Sequence, residues 1–490
     1  MDSASILAQQ DRRRWGALAI VIAAQFMVIL DVAIVNVALP SIKDDLGFSE
    51  ASLQWVITAY AIVFGGALLL GGRLADIFGR RRVFLAGMGL FTVSSLLSGL
   101  AWSEAALIGS RALQGLGGAL LAPAALSILM TTFSEGRERN LALGIWGAAS
   151  GSGAAAGVLL GGVLTSYLDW SWIFFINIPV GVAVMALTPW LLAETRAEVG
   201  HRHFDLTGAV TVTSGVMLLV YAMTRAAQDG WLTLSTLGLL AASLVLIGAF
   251  LVVELRTRMP LLPLRIFRLR SLAVANATAV LVAAVAFSEF FLLTLYLQQV
   301  LDFSPMETGL AFLPITLTII VVSNIAQTLV TRIGVRPVLT TGLLLTAVAL
   351  AYFVRLPADG EYLRDVLPAL VLSGVGLALT FVPMTIAGLT GVERSDAGVA
   401  SGLINTSRQI GGAVGLAAVS TIAITASSGA GGTQTGASLT HGFQVSFAVL
   451  TVLAVVGAVL VATLIEPRRP RGADVPVLHE EPTVAFEEAA

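Results

Sequence analysis

Asp31, Arg111, Glu289 and Arg408 are charged residues set inside stretches that are otherwise apolar. A charge at the centre of a membrane-spanning helix costs about 2.5 kcal/mol or more, so each position is expected to serve a purpose. Two kinds of chemistry are open to this set, proton exchange and attraction of a cation. Desolvation favours the neutral form of a carboxyl group and a neighbouring guanidinium favours the charged form, so a change in their separation moves a proton. At 1.5 Å per residue, Asp31 lies roughly 24 Å along its apolar run, Glu289 roughly 25 Å along its own, and Arg111 roughly 10 Å from the opposite end of a third. All three are therefore expected in the outer half of a bilayer, with Arg408 nearer the middle. Asp31 is the expected proton carrier and Arg111 the group that tunes it; the alternative is a static ion pair that fixes packing. Glu289 is read either as a second protonation or cation-attracting site or as a structural partner of Arg408. Tyr296, seven residues on, shares its helical face.

Other chemistries are excluded or unsupported. The chain has no cysteine, so disulfides, thiol catalysis and cysteine-ligated metals are impossible. Its four histidines, His201, His203, His441 and His479, lie near loops and form no cluster with metal-ligand spacing. No loop of the phosphate-cradling kind is present, which speaks against ATP as the energy source. The reading is of a protein that is not an enzyme, holds no cofactor and draws on a proton gradient. A formal net charge of -2 gives no reason to expect a nucleic-acid partner.

These residues must be positioned by membrane helices. Of 490 residues, 57% are hydrophobic and 12% charged, with mean hydropathy +0.89, against roughly 25% charged in a soluble domain. Apolar runs long enough for a hydrocarbon core of about 30 Å fall near 15-39, 54-72, 83-101, 105-130, 140-165, 171-193, 207-227, 234-254, 272-300, 306-330, 335-355, 366-390, 398-425 and 442-465. The first is too long for a signal-peptide core and ends at Pro40 and Ser41 without a cleavage site, so it is expected to be retained. Fourteen spans put both termini on one side. With that side inside, 22 of the 28 basic residues are cytoplasmic and 4 are external, Arg111 and Arg408 being within spans. Lys43 is the only lysine, and the arginine bias points to a bacterium. A flexible outer loop is expected from Ser427 to Thr440, and a disordered tail after Glu466.

Motifs then narrow the reading. The turn Gly72, Arg73, Leu74, Ala75, Asp76, Ile77, Phe78, Gly79, Arg80, Arg81, Arg82 resembles the loop between the second and third spans of major facilitator transporters. Leu30 to Pro40, around Asp31, resembles the first-span motif of the fourteen-span drug/proton antiporters of that superfamily. Arg111, Gln114, Gly115 and Gly118 resemble its fourth-span motif and share one helical face. Gly147, Gly151, Gly153, Gly157, Gly161 and Gly162 resemble the glycine-rich antiporter motif, although Val158 stands where the family usually has proline. Read alone, the four-residue spacing of Gly153, Gly157 and Gly161 permits close helix packing. Trp55, Tyr60, Asn177 and Pro179 also match the family's pattern, and Leu329 to Val338 looks like a worn copy of the Asp76 turn, marking a second half.

The resemblance implies an all-α integral membrane protein of the major facilitator fold, with two six-helix lobes, two inserted helices and both termini cytoplasmic. The organisation expected is an N-terminus 1-14, a first lobe 15-193, a linker with the inserted helices 194-271, a second lobe 272-465 and a tail 466-490. Gly72, Asp76, Gly79, Arg80 and Arg81 would form an inner gate, Asp76 meeting Arg80, Arg81 or a helix N-terminus of the other lobe. Gly153, Gly157, Gly161 and Gly162 would supply the antiporter face. Trp55, Thr58, Gln114, Glu289, Tyr296, Asn405 and Arg408 would line the substrate cavity. The implied function is proton-coupled efflux of small amphipathic, cationic or neutral drugs or natural products by a monomer in the bacterial inner membrane. Its partners are then drugs, protons and the lipid bilayer. Alternatives are a dedicated exporter of a self-made antibiotic or lipid, and an uptake symporter.

Overall fold

A computed structural model of the chain describes residues 3–48, 50–53, 55–194, 205–257, 260, 262–393, 396–428 and 436–465. Every long element is a helix, at the places the apolar runs predict. The first lobe contains α1 (Ser3–Leu46), α2 (Trp55–Phe78), α3 (Arg80–Gly99), α4 (Glu104–Thr132), α5 (Arg137–Tyr167) and α6 (Trp172–Leu191). The hairpin α7 (Leu206–Asp229) and α8 (Leu234–Arg256) follows. The second lobe contains α9 (Arg270–Gln299), α10 (Met306–Ile333), α11 (Val335–Phe353), α12 (Tyr362–Leu389), α13 (Ala397–Ser428) and α14 (Gly436–Leu464). Among the described residues thirteen of these are long and apolar enough to cross a membrane. The fourteenth, α5, has 31 residues, ample for a core of about 30 Å.

Local sequence explains the irregularities. α6 is broken at Ile176 into Trp172–Phe175 and Asn177–Leu191, where Pro179 cannot donate to the carbonyl of Phe175. α1 does not stop at Pro40, as expected, but runs on to Leu46; a proline removes one hydrogen bond and, with neighbours to hold it, a membrane helix passes through. The expected outer loop is also shorter. α13 reaches Ser428 and α14 begins at Gly436, and 429–435 lie outside the described residues, as does the tail 466–490. The repeat read from Leu329 to Val338 has a backbone counterpart: Gly79 and Gly334 have φ of 104° and 89° and each joins two helices head to tail. Only glycine takes that conformation without steric cost.

Packing divides the molecule. α1 packs along α5, and α4 along α2 and α3, while α9 packs along α13 and α14, and α12 along α10 and α11. The halves meet along two seams, α2 with α13 and α5 with α10. The inserted α7 lies across the first seam and touches both α2 and α13. Met217 seats against Gly66, Tyr221 meets Trp55 at 5.7 Å between ring centroids, and the Trp231 indole donates to Thr421 Oγ1 at 2.6 Å. α8 packs on α7 and presents most of its surface outward.

Candidate functional site

The centre of the first lobe is a polar cluster built by five helices, α1, α2, α3, α4 and α6. Asp31 of α1 and Gln114 of α4 are fully buried, and Arg111 and Asn177 are 1% exposed. Arg111 Nη1 donates to Asp31 Oδ2 at 2.6 Å and to Gln114 Oε1 at 2.7 Å, while its Nε reaches the carbonyl of Val56 on α2 at 3.1 Å. The other carboxylate oxygen, Oδ1, accepts from Gln114 Nε2 at 2.8 Å and from Asn177 Nδ2 at 3.0 Å. Ser95 of α3 accepts from both amides and donates to the carbonyl of Phe174, just before the break in α6. The guanidinium lies over the rings of Tyr60, at 4.5 Å, and Phe174, at 5.7 Å. A buried ion pair is tolerable only when its remaining donors and acceptors are met. This one is surrounded by hydrogen bonds and aromatic faces, and a proton arriving at Asp31 would displace at least one of them.

The glycines of α5 bring its backbone against the segment of α1 that carries Asp31. A Cβ on Gly157 would lie 2.8 Å from the carbonyl oxygen of Leu30 and 2.7 Å from Ala33 Cβ; one on Gly153 would lie 2.9 Å from the carbonyl oxygen of Phe26; one on Gly161 would meet Ile34 and Val37. Gly162 faces the other way, against Met306 of α10. A second set, Gly144, Gly147 and Gly151, faces the other lobe, against Gln327, Val382 and Ile319. α5 is therefore smooth on two sides, one toward Asp31 and one toward the opposite half.

At the arginine-rich end, Asp76 is fully buried and joins the lobes. It accepts from Arg80 Nη2 at 3.2 Å and, across the seam, from the backbone N–H groups of Gly398 and Val399 at 3.2 and 3.1 Å. These are free donors of the first turn of α13, at the positive end of its dipole. A Cβ on Gly72 would lie 2.3 Å from the carbonyl oxygen of Gly398, so the close crossing itself demands glycine. Arg80 and the helix N-terminus both serve Asp76. Arg81 turns away, donating to the carbonyl of Leu192 at 3.2 Å and lying 3.7 Å from Glu194. Asn140 of α5 donates to Thr331 of α10 at 2.9 Å, closing the second seam at the same end.

The remaining expected residues are dispersed. Glu289 is fully buried and, among the described residues, neither of its oxygens has a hydrogen-bond partner; the hydroxyl of Ser373 on α12 is beside it, outside hydrogen-bond geometry. Arg408 forms no ion pair with Glu289 and stacks over Phe381 at 4.9 Å, so the structural-partner reading fails in this arrangement. Tyr296 does not join Glu289 in a cavity: its hydroxyl donates to the carbonyl of Pro357 at 2.7 Å. Asn405 bonds back to the carbonyl of Ser401 in its own helix, Thr58 is half-buried, and Trp55 faces Tyr221 of α7. Gln114, expected to contact substrate, is occupied by Asp31 and Arg111. Sequence reasoning missed Ser95, whose one available signal is the run of serines at 94, 95 and 98 in a membrane helix, and it gave Asn177 no role.

Residues 21–416 match the Major Facilitator Superfamily. The chain is 41% identical over 94% of its length to the puromycin resistance protein pur8 of Streptomyces alboniger, covering 92% of that protein. It is 39% identical to the cephamycin export protein CmcT of Amycolatopsis lactamdurans, over 95% of each chain. It is 36% identical to the multidrug resistance protein Stp of Mycobacterium tuberculosis strain CDC 1551 / Oshkosh, over 81% of this chain and 73% of that one. Its fold superposes on the human organic anion transporter MFSD10 with a TM-score of 0.67 at 16% identity, covering 92% of this chain and 99% of the other. With fourteen long helices among the described residues, six in each lobe and a pair between them, the chain is a member of the Major Facilitator Superfamily, a family of membrane transporters and not of enzymes.

Proposed function

We propose that the protein exports small amphipathic drugs or antibiotics across the bacterial inner membrane, in exchange for protons, by alternating access. The observation that carries the proton-coupled reading is the Asp31 cluster, an ionisable carboxylate fully buried in a membrane helix with Arg111 at 2.6 Å. A charge inside a membrane helix is costly, and such residues commonly mark ion or proton pathways. Protonation of Asp31 releases Arg111 and the two amides, and the glycine face of α5 lets α1 shift as they let go. Asp76 on the N-terminus of α13 holds the cytoplasmic end shut in the outward-facing state. Glu289, unpartnered in the second lobe, draws cationic substrates or takes a second proton. The substrate class rests on the relatives, whose names speak of puromycin, cephamycin and multidrug resistance.

The test is efflux of a fluorescent lipophilic cation from cells or everted vesicles, with and without an uncoupler, for the wild type and Asp31→Asn. Uncoupler-sensitive export that disappears in Asp31→Asn supports the reading. Full proton-driven export by Asp31→Asn refutes it. A dedicated antibiotic exporter is the second reading, favoured by the names of the puromycin resistance and cephamycin export proteins, and it is separated by measuring resistance to puromycin and a cephamycin beside a panel of unrelated dyes. Resistance confined to one antibiotic would favour it.

A further inference from the structure

We propose that the arginine-rich end carries two equivalent pockets for the headgroup of an anionic phospholipid, one in each lobe. The first is a cavity of about 410 Å³ between the third and fourth turns of α1, with Arg13 and Arg14, the start of α3, with Arg81, and the ends of α4 and α6, with Thr132 and Trp190. The second, of about 510 Å³, lies between Arg268, just before α9, and Arg270 at its start, the turn at Gly334, and the ends of α12 and α14, with Thr390 and Leu464. The two are built alike. The first helix of each lobe brings arginines, the fourth ends in a threonine, the sixth gives an apolar wall, and the start of the third, at Arg81 or Val335, closes the floor. In both halves that third helix starts directly after a glycine of positive φ, Gly79 or Gly334.

The chemistry of the linings selects the ligand. Arg13, Arg268 and Arg270 are exposed and have no hydrogen-bond or ion-pair partner among the described residues. Arg14 and Arg81 are fixed by the carbonyls of Thr132 and Leu192 and are partly offset by Glu138 and Glu194, so in the first pocket Arg13 is the cation left to bind. Guanidinium groups pair with phosphate esters through charge-assisted hydrogen bonds. Inorganic phosphate would satisfy the arginines but leave Ile128 and Leu191, or Leu464 and Ile465, against water. A phospholipid fills both parts. The depth is right: Trp190, which lines the first pocket and is 79% exposed, marks it as interfacial, where tryptophans concentrate. Basic pockets between membrane helices on the cytoplasmic side suit anionic headgroups.

Trp190 supplies the readout. The full chain is placed in lipid discs of phosphatidylcholine, and phosphatidylglycerol brominated near its carbonyls is added at low mole fraction while tryptophan fluorescence is followed. Quenching is expected to exceed that by brominated phosphatidylcholine several-fold, the excess vanishing in Trp190→Phe. In Arg13→Gln the apparent affinity should fall about tenfold, the equivalent of roughly 1.4 kcal/mol, with the melting temperature unchanged in phosphatidylcholine. Native mass spectrometry should count two retained phosphatidylglycerol molecules, and one in Arg268→Gln/Arg270→Gln. Equal quenching by the two lipids, or an unchanged affinity in Arg13→Gln, overturns the proposal. Displacement of the lipid by millimolar inorganic phosphate would show a plain anion site and overturn it as well.

Discussion

Replacing Asp76 with asparagine should open the arginine-rich end of the transporter. The carboxylate accepts three hydrogen bonds, one from Arg80 and two from the first turn of α13. An amide keeps one oxygen in place and turns an NH2 group onto a backbone N–H, so at least one bond to a charged acceptor is lost, worth about 1.5–3 kcal/mol. Loss of the charge at the helix terminus adds about 0.3–1 kcal/mol. Because the α13 contacts exist only when the two lobes are together, the loss falls on the closed state. Taking about 2–3 kcal/mol in all, the closed population should drop roughly 30- to 150-fold relative to the open one. The chain lacks cysteine, so spin labels at Phe78→Cys and Ile333→Cys, both exposed at that end, report the lobe separation without background. Asp76→Asn should shift the distance distribution outward and lower export at normal protein level. Arg80→Gln, which leaves both α13 bonds in place, should shift it less. An unchanged distribution with wild-type export in Asp76→Asn would show that the latch does not set the equilibrium.

Arg111→Lys keeps the charge but cannot reach Val56, Asp31 and Gln114 together, as the guanidinium does; uncoupler-sensitive efflux should fall at least tenfold, and wild-type efflux would show that the fork is dispensable. Gly157→Ala places a methyl 2.7 Å from Ala33 Cβ and should cost about 1–3 kcal/mol by overpacking, seen as a lower melting temperature in detergent. Gly109→Ala on α4, with nothing within 4 Å of the added Cβ, should be neutral or gain up to about 1 kcal/mol. Glu289→Gln breaks no hydrogen bond, so yield and melting temperature should hold while export of cations falls relative to neutral substrates; an unchanged substrate range would remove Glu289 from the cavity.

What could be read in the sequence was what hydrocarbon makes costly. Asp31 and Arg111 stood out because each is a lone charge in an apolar run, and arranging the spans alternately brought them to the same depth. Asp76 stood out because a glycine-flanked acid among arginines is rare between spans, and the helix N-terminus that receives it was among the partners weighed. Neutral polar residues carry no such mark. Ser95 and Asn177 complete the Asp31 cluster, yet a serine or asparagine in a span is at least as often helix glue. Tyr296 and Glu289 share a face by periodicity, but the tyrosine hydroxyl is claimed by Pro357, 61 residues away in sequence. Trp55 was assigned to the cavity on the same grounds. Its partner Tyr221 belongs to an inserted helix whose docking on α2 no local pattern reveals.

The two ends of the mechanism are joined by α2. Val56, near its start, gives its carbonyl to Arg111, and Asp76, near its end, receives α13. Twenty residues separate them, about 30 Å along a helix, so if α2 moves as a rod, release of Asp76 from α13 tilts the carbonyl that helps hold Arg111. α5 offers the second link. Its glycines contact α1 beside Asp31 on one side and α10 and α12 of the other lobe on the other, so rocking of the lobes would slide a smooth backbone past Asp31. Neither link needs a chain of side-chain rearrangements. What both require is that protonating Asp31 and freeing Asp76 favour the same rigid-body movement, and the Asp31→Asn variant measured with the labels at Phe78 and Ile333 states that requirement experimentally: loss of the charge at Asp31 must alter the lobe separation more than 30 Å of helix away, or the two sites act independently.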